Sequence, residues 1–111
     1  MDLNHFLVDL LHSLSLLDFV EKVDLQTEVF ILRGKAILTK NRFLQVYFNE
    51  LTGTTALALI ENSTRIWGVD YDNLRGWHLH PGEHPDAHKN ISPQSVEEMI
   101  FALREVWQQL P

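Results

Sequence analysis

Leu3, Phe6, Leu7, Leu10, Leu11 and Leu14 recur at three- and four-residue spacing, the period that gathers side chains on one stripe of an α-helix. Asp2 stands just ahead of the stripe, where its carboxylate can accept from the first free amides. From Phe19 the period falls to about two through the runs DFVEKVDLQTE, EVFILRGKAIL, FLQVYFNE, TALALIE and RIWGVDY, which read as strands. Lys40-Asn41, Thr52-Gly53 and Asn62-Ser63 punctuate these runs as tight connections, and short links make consecutive strands antiparallel. A further short strand fits Gly76 to His80, ended by Pro81-Gly82. Ser92-Pro93 and the Ser95-Val96-Glu97-Glu98 capping box then open a closing helix. Its apolar face carries Val96, Met99, Ile100, Leu103, Val106, Trp107 and Leu110. The pattern predicts an α+β domain over residues 1–111, an antiparallel five- to six-stranded meander sheet flanked by an N-terminal and a C-terminal helix.

In such a sheet one face must bury against the helices. Alternation assigns Phe30, Leu32, Ala36 and Leu38, then Leu44, Val46 and Phe48, to that face. Arg33 and Lys35 then project from the other side of one strand, and Gln45, Tyr47 and Asn49 from the next. A solvated sheet face is the ordinary reading of such a surface, since charges are mostly exposed in any protein. The functional reading takes Arg33, Lys35 and Tyr47 as a local basic and aromatic binding surface.

Composition narrows the chemistry. With 111 residues, 45% of them hydrophobic, the chain has material for one packed core. It contains no cysteine, which removes disulfides, thiolate nucleophiles and cysteine-ligated zinc, and fits a cytoplasmic localisation. The start, MDLNHFLVDLLHSLSLLDFV, lacks the basic leading segment of a signal peptide and is interrupted by Asp9, His12 and Asp18. No run is long enough to span a membrane. The net charge of −6 opposes general affinity for polyanions, so nucleic-acid binding would need a local basic face.

The densest chemistry lies in GWHLHPGEHPDAHKN, Gly76 to Asn90, which holds four of the six histidines. In an extended segment His78 and His80 share one face while Trp77 and Leu79 share the other. Trp77 and Leu79 are then expected to anchor the strand in the core, with the two imidazoles on the polar side. Asp70 and Asp72 lie shortly upstream, and His84, Asp86 and His88 follow. His5 and His12, two turns apart on the first helix, are expected on its surface.

Three readings fit this segment. In the first, His78 and His80 hold a divalent transition metal such as zinc, with His84 as third ligand. In the second, no cofactor is used: two histidines divide general-acid and general-base work in cleaving RNA through its own 2′-hydroxyl, and Arg75 or Arg33 steadies the developing charge. In the third, Pro81, Gly82 and Pro85 make a rigid connection whose histidines cap strands or touch a partner.

The stretch YDNLRGWHLHPGEHPDAHKN followed by a short capped helix resembles the TumE-like toxin family of prokaryotic toxin–antitoxin systems. Asp72, Asn73, His78, His80, Pro81 and His88 occupy the matching places, with Leu79 separating two histidines that are adjacent in many relatives. The resemblance implies a toxin directed at RNA or translation and a cognate antitoxin as partner; joined to the second reading above, it makes the chain a small metal-independent ribonuclease. On that reading His78 and His80 share acid and base roles, Arg75 stabilises the transition-state charge and Asp72 orients an imidazole. Arg33, Lys35, Tyr47, His84 and His88 would bind. The alternative from another class is a non-catalytic interaction module, in which an exposed Trp67 or Tyr71 and the open sheet face engage a partner or form a homodimer.

Overall fold

A computed structural model describes residues 1–81 and 88–111. The chain runs α1 (Leu3–Ser15), β1 (Val20–Glu28), β2 (Ile31–Leu38), β3 (Arg42–Asn49), β4 (Thr55–Glu61), β5 (Thr64–Asp72), β6 (Gly76–His80), β7 (Lys89–Asn90) and α2 (Val96–Gln109). All described strands form one antiparallel sheet in sequence order. The fold is therefore α+β as expected, but with seven strands instead of five or six. β7 escaped the pattern because it is two exposed polar residues, too short to show any period. No helix among the described residues is long and apolar enough to cross a membrane.

Both helices begin as the chain pattern requires. Asp2 accepts the His5 amide hydrogen at 2.8 Å, and Ser95 and Glu98 form a reciprocal capping box at 3.0 and 2.9 Å. Phe6, Leu10 and Leu14 of α1 and Val96, Met99, Ile100 and Leu103 of α2 join Leu32, Ala36, Leu44, Val46, Leu57, Leu59, Trp67 and Val69 in one core. Phe6 stacks on Phe48 with ring centres 4.2 Å apart, and Phe19 stacks on Trp107 at 4.0 Å. Each such pair contributes about 0.5–1.5 kcal/mol beyond its buried area. They fix α1 to β3 and α2 to the start of β1.

Two expected core assignments change. Phe30 is 40% exposed because it lies in the β1–β2 turn, beyond the pairing of Glu28 with Ile31. Trp67, expected as an exposed partner-binding residue, is 2% exposed and packs in the core opposite Leu59. Tyr71 is half-buried and leans on Trp77, with ring centres 5.3 Å apart. Arg42 follows the alternation of Leu44 and Val46 into the core, where Glu61 accepts from it at 2.6 Å and the guanidinium lies over the Trp107 ring at 4.9 Å.

Strand pairing builds the second face of the sheet in two continuous rows. One row reads Gln26, Arg33, Tyr47, Ala56, Asp70, His78, Asn90; the other reads Asp24, Lys35, Gln45, Ala58, Gly68, His80. Small residues in β4 and β5 leave the middle of these rows open. Asp24, Arg33, Lys35, Gln45, Tyr47 and Ala56 line a hollow of about 520 Å³ on the β1–β4 side. The histidines stand at the β6 side of the same face.

Candidate functional site: three imidazoles beside Asp70

The β5–β6 hairpin places His78 directly opposite Asp70 and His80 opposite Gly68. Trp77 and Leu79 point to the helix side and pack against the core, as the alternation requires. His78 and His80 do lie on the opposite face, but they are not open to solvent: their exposures are 1% and 2%. His88, just before β7, is exposed and brings a third ring to the pair. Ring centres are 5.2 Å apart for His78 and His80, 5.2 Å for His78 and His88, and 4.5 Å for His80 and His88. One nitrogen from each ring lies within 4.8 Å of the other two.

Hydrogen bonds fix where the protons are. The Gly76 carbonyl, 3.1 Å from Nδ1 of His78, can only accept, so that nitrogen carries the hydrogen. Nε2 is then the nitrogen left to face the carboxylate side of the site. That atom is buried and has no hydrogen-bond partner. Asp70 Oδ2 lies 3.4 Å from it, within ion-pair reach but without hydrogen-bond alignment. A buried imidazole nitrogen facing a carboxylate calls for a proton or a metal cation between them, and an unsatisfied buried polar atom costs about 1–3 kcal/mol.

His80 is engaged on both sides. Arg65 Nη2 lies 3.0 Å from its Nδ1, and Asp70 Oδ2 lies 2.9 Å from its Nε2. Burial, then the Arg65 charge, hold this imidazole's pKa below the ordinary 6.5, against the opposing pull of Asp70. His80 is thus a neutral ring with its hydrogen on Nε2.

Arg65 and Asp70 are the two partners that sequence reading did not assign. Asp70 was visible two residues from Asp72 on the same alternation. Arg65 was hidden, because strict alternation places it with Trp67 on the helix side. A register shift between the Leu59–Trp67 and Ile60–Arg65 pairs inserts one residue at Ile66 and turns Arg65 onto the histidine face, the way bulges re-aim side chains.

The other expected site residues lie elsewhere. Asp72 and Arg75 close the β5–β6 turn on each other: the Asp72 carboxylate accepts the Arg75 amide at 2.7 Å, the Leu74 amide at 3.0 Å and Arg75 Nε at 3.0 Å. The backbone bond from Arg75, above all, holds the Asp72 carboxyl below its ordinary pKa. The carboxylate beside the imidazoles is Asp70 and the cation is Arg65. Arg33 is paired with Glu28 at 2.5 Å and Lys35 sits over the Phe43 ring at 4.9 Å, with half-buried Tyr47 on β3, between their strand and β4. Arg33 and Lys35 are four strand spacings, roughly 19 Å, from the histidines, and Tyr47 is three, roughly 14 Å. His84, expected as third metal ligand, lies outside the described residues; His5 and His12 are exposed on α1, as expected.

Compared with known protein families, with curated proteins and with solved structures, the chain gives no match.

Proposed function

We propose that this chain binds a divalent transition-metal ion of the zinc class through His78, His80 and His88, with Asp70 as the neighbouring anion. The observation that carries this reading is the buried, unpartnered Nε2 of His78, close to a carboxylate and grouped with a nitrogen from each of two further imidazoles. Three imidazoles suit zinc, which bonds nitrogen at about 2.0–2.1 Å and prefers four ligands. An ion drawn in among the rings would place a positive charge between His78 Nε2 and Asp70. It would also tie the β5–β6 hairpin to the residue that opens β7.

The test is a zinc titration in competition with a chromophoric chelator. Wild-type protein should take up one equivalent, and His78→Ala and His88→Ala should each weaken binding by tenfold or more, in the range that loss of a metal-supporting group produces. Absence of uptake by the wild type at micromolar zinc overturns the reading.

A second reading keeps the same imidazoles but dispenses with metal: a TumE-like toxin that cleaves RNA by acid–base chemistry and is held in check by an antitoxin. What favours it is the placement of Arg33, Lys35 and Tyr47 on the histidine face, in one hollow that an extended ligand could follow. The burial of His78 and His80, which keeps both rings away from a polymer backbone, favours the metal reading over it. RNA cleavage by purified protein in excess chelator, abolished by His88→Ala, would reverse that preference.

A further inference from the structure

The three-histidine arrangement contains a contradiction that chemistry must resolve. A guanidinium has only donors and stays protonated in proteins. The 3.0 Å contact from Arg65 Nη2 therefore makes Nδ1 of His80 an acceptor, which leaves the ring hydrogen on Nε2, donated to Asp70 at 2.9 Å. In that state neither nitrogen of His80 can receive an ion. Nδ1 is covered by a cation and Nε2 carries a hydrogen.

We propose, resting on the metal reading above, that Arg65 is a resident cation that competes with the metal for His80, so that an ion is bound only as the guanidinium leaves. Entry at Nδ1 exchanges one N–H···N hydrogen bond for one nitrogen–metal bond, with the hydrogen on Nε2 still donated to Asp70 and no proton lost from the ring. Entry at Nε2 requires that hydrogen to move to Nδ1, where it would meet the Arg65 donors head on. Both routes evict Arg65. The charges agree, because Asp70 Oδ2, the anion an incoming ion would face, is also 3.9 Å from Arg65 Nη1. One carboxylate thus serves two exclusive cations. Arg65 has somewhere to go: its side chain is 37% exposed, against 1% and 2% for the two imidazoles.

The bulge in β5 is what makes this competition available. Without the inserted residue at Ile66, Arg65 would point to the helix side with Trp67, and His80 would present a free lone pair to any ion. Arg65 is here a positioning and regulatory residue of the site, not one of its ligands.

The experiment measures zinc and cobalt(II) affinity by chelator competition for the wild type, Arg65→Met, His80→Ala and the double variant, with thermal melts to confirm folding. Arg65→Met should bind about tenfold more tightly than wild type, a usual size for coupling between competing contacts. In the His80→Ala background the Arg65 substitution should change little. Arg65→Gln, which keeps the side-chain stem and removes the charge, serves if Arg65→Met does not fold. Equal or weaker binding by the Arg65 variant that folds overturns the competition while leaving the metal site standing. No binding by any variant overturns the metal reading and this inference with it. Nitrogen-15 spectra of the metal-free imidazoles give an independent readout: His80 should hold its hydrogen on Nε2 in the wild type and become a mixture in Arg65→Met. A wild-type ring protonated on Nδ1 alone also overturns the proposal.

Discussion

Asp70 lies between two histidine nitrogens, 2.9 Å from Nε2 of His80 and 3.4 Å from Nε2 of His78. Only the first of these is a satisfied hydrogen bond. The difference comes from the other end of each ring, where Arg65 donates to one imidazole and the Gly76 carbonyl accepts from the other. Two residues with the same side chain on the same face thus have opposite needs.

Zinc should stabilise the folded protein by mass action. At a zinc concentration roughly 100 times Kd the gain is about 2.7 kcal/mol, which for a domain of this length raises Tm by roughly 10 °C. Because His88 is exposed, His88→Ala should leave the metal-free Tm nearly unchanged while removing the zinc-dependent rise. Differential scanning calorimetry with and without zinc checks both halves.

The metal-free protein should lose stability as pH falls below about 6.5. Burial, followed by the Arg65 charge, lowers the folded pKa of His80 below the ordinary 6.5. Between the unfolded and folded values the unfolded chain binds a proton that the folded chain refuses, so stability rises with pH across that window and is constant above it. Urea midpoints across that range should show this slope, and His80→Gln should reduce it.

Gly34 should not tolerate a side chain. Its φ is +150°, and a Cβ there would stand 2.1 Å from the Asp24 carbonyl oxygen of β1. Backbone on the neighbouring strand cannot step aside, so Gly34→Ala should cost roughly 2–4 kcal/mol. The opposite outcome is expected at Val29, a β-branched residue at φ +41° in the β1–β2 turn. Val29→Gly should gain about 1 kcal/mol by relieving that conformation. Chemical denaturation of the two variants measures both signs.

Trp67→Ala should behave as a core deletion instead of an interface mutation. The side chain is buried opposite Leu59, and truncating a buried tryptophan costs about 3–5 kcal/mol. The expected result is a large fall in the denaturation midpoint. An unchanged midpoint would contradict this packing.

Much of this architecture was legible in the chain itself. Asp2 and Ser95 open the helices where their capping chemistry places them. Lys40-Asn41 and Asn62-Ser63 turn the chain with positive φ at both positions, as tight hairpin connections require. Alternation put Leu32, Ala36, Leu44 and Val46 in the core and set His78 and His80 on the face away from Trp77 and Leu79. Phe30 failed that reading because alternation does not mark where pairing stops and a turn begins.

The sequence by itself determined the two helices, the first six strands, their antiparallel order and the sharing of one face by His78 and His80, because caps, turns and alternation depend on neighbours only a few residues away. Tertiary structure alone decided the partners of those rings. The inserted residue in β5 brought Arg65 to the histidine face, cross-strand pairing chose Asp70 over Asp72, and the pairing of β7 with β6 delivered His88. Each of these turns on strand register, a relation between distant segments that no local period encodes.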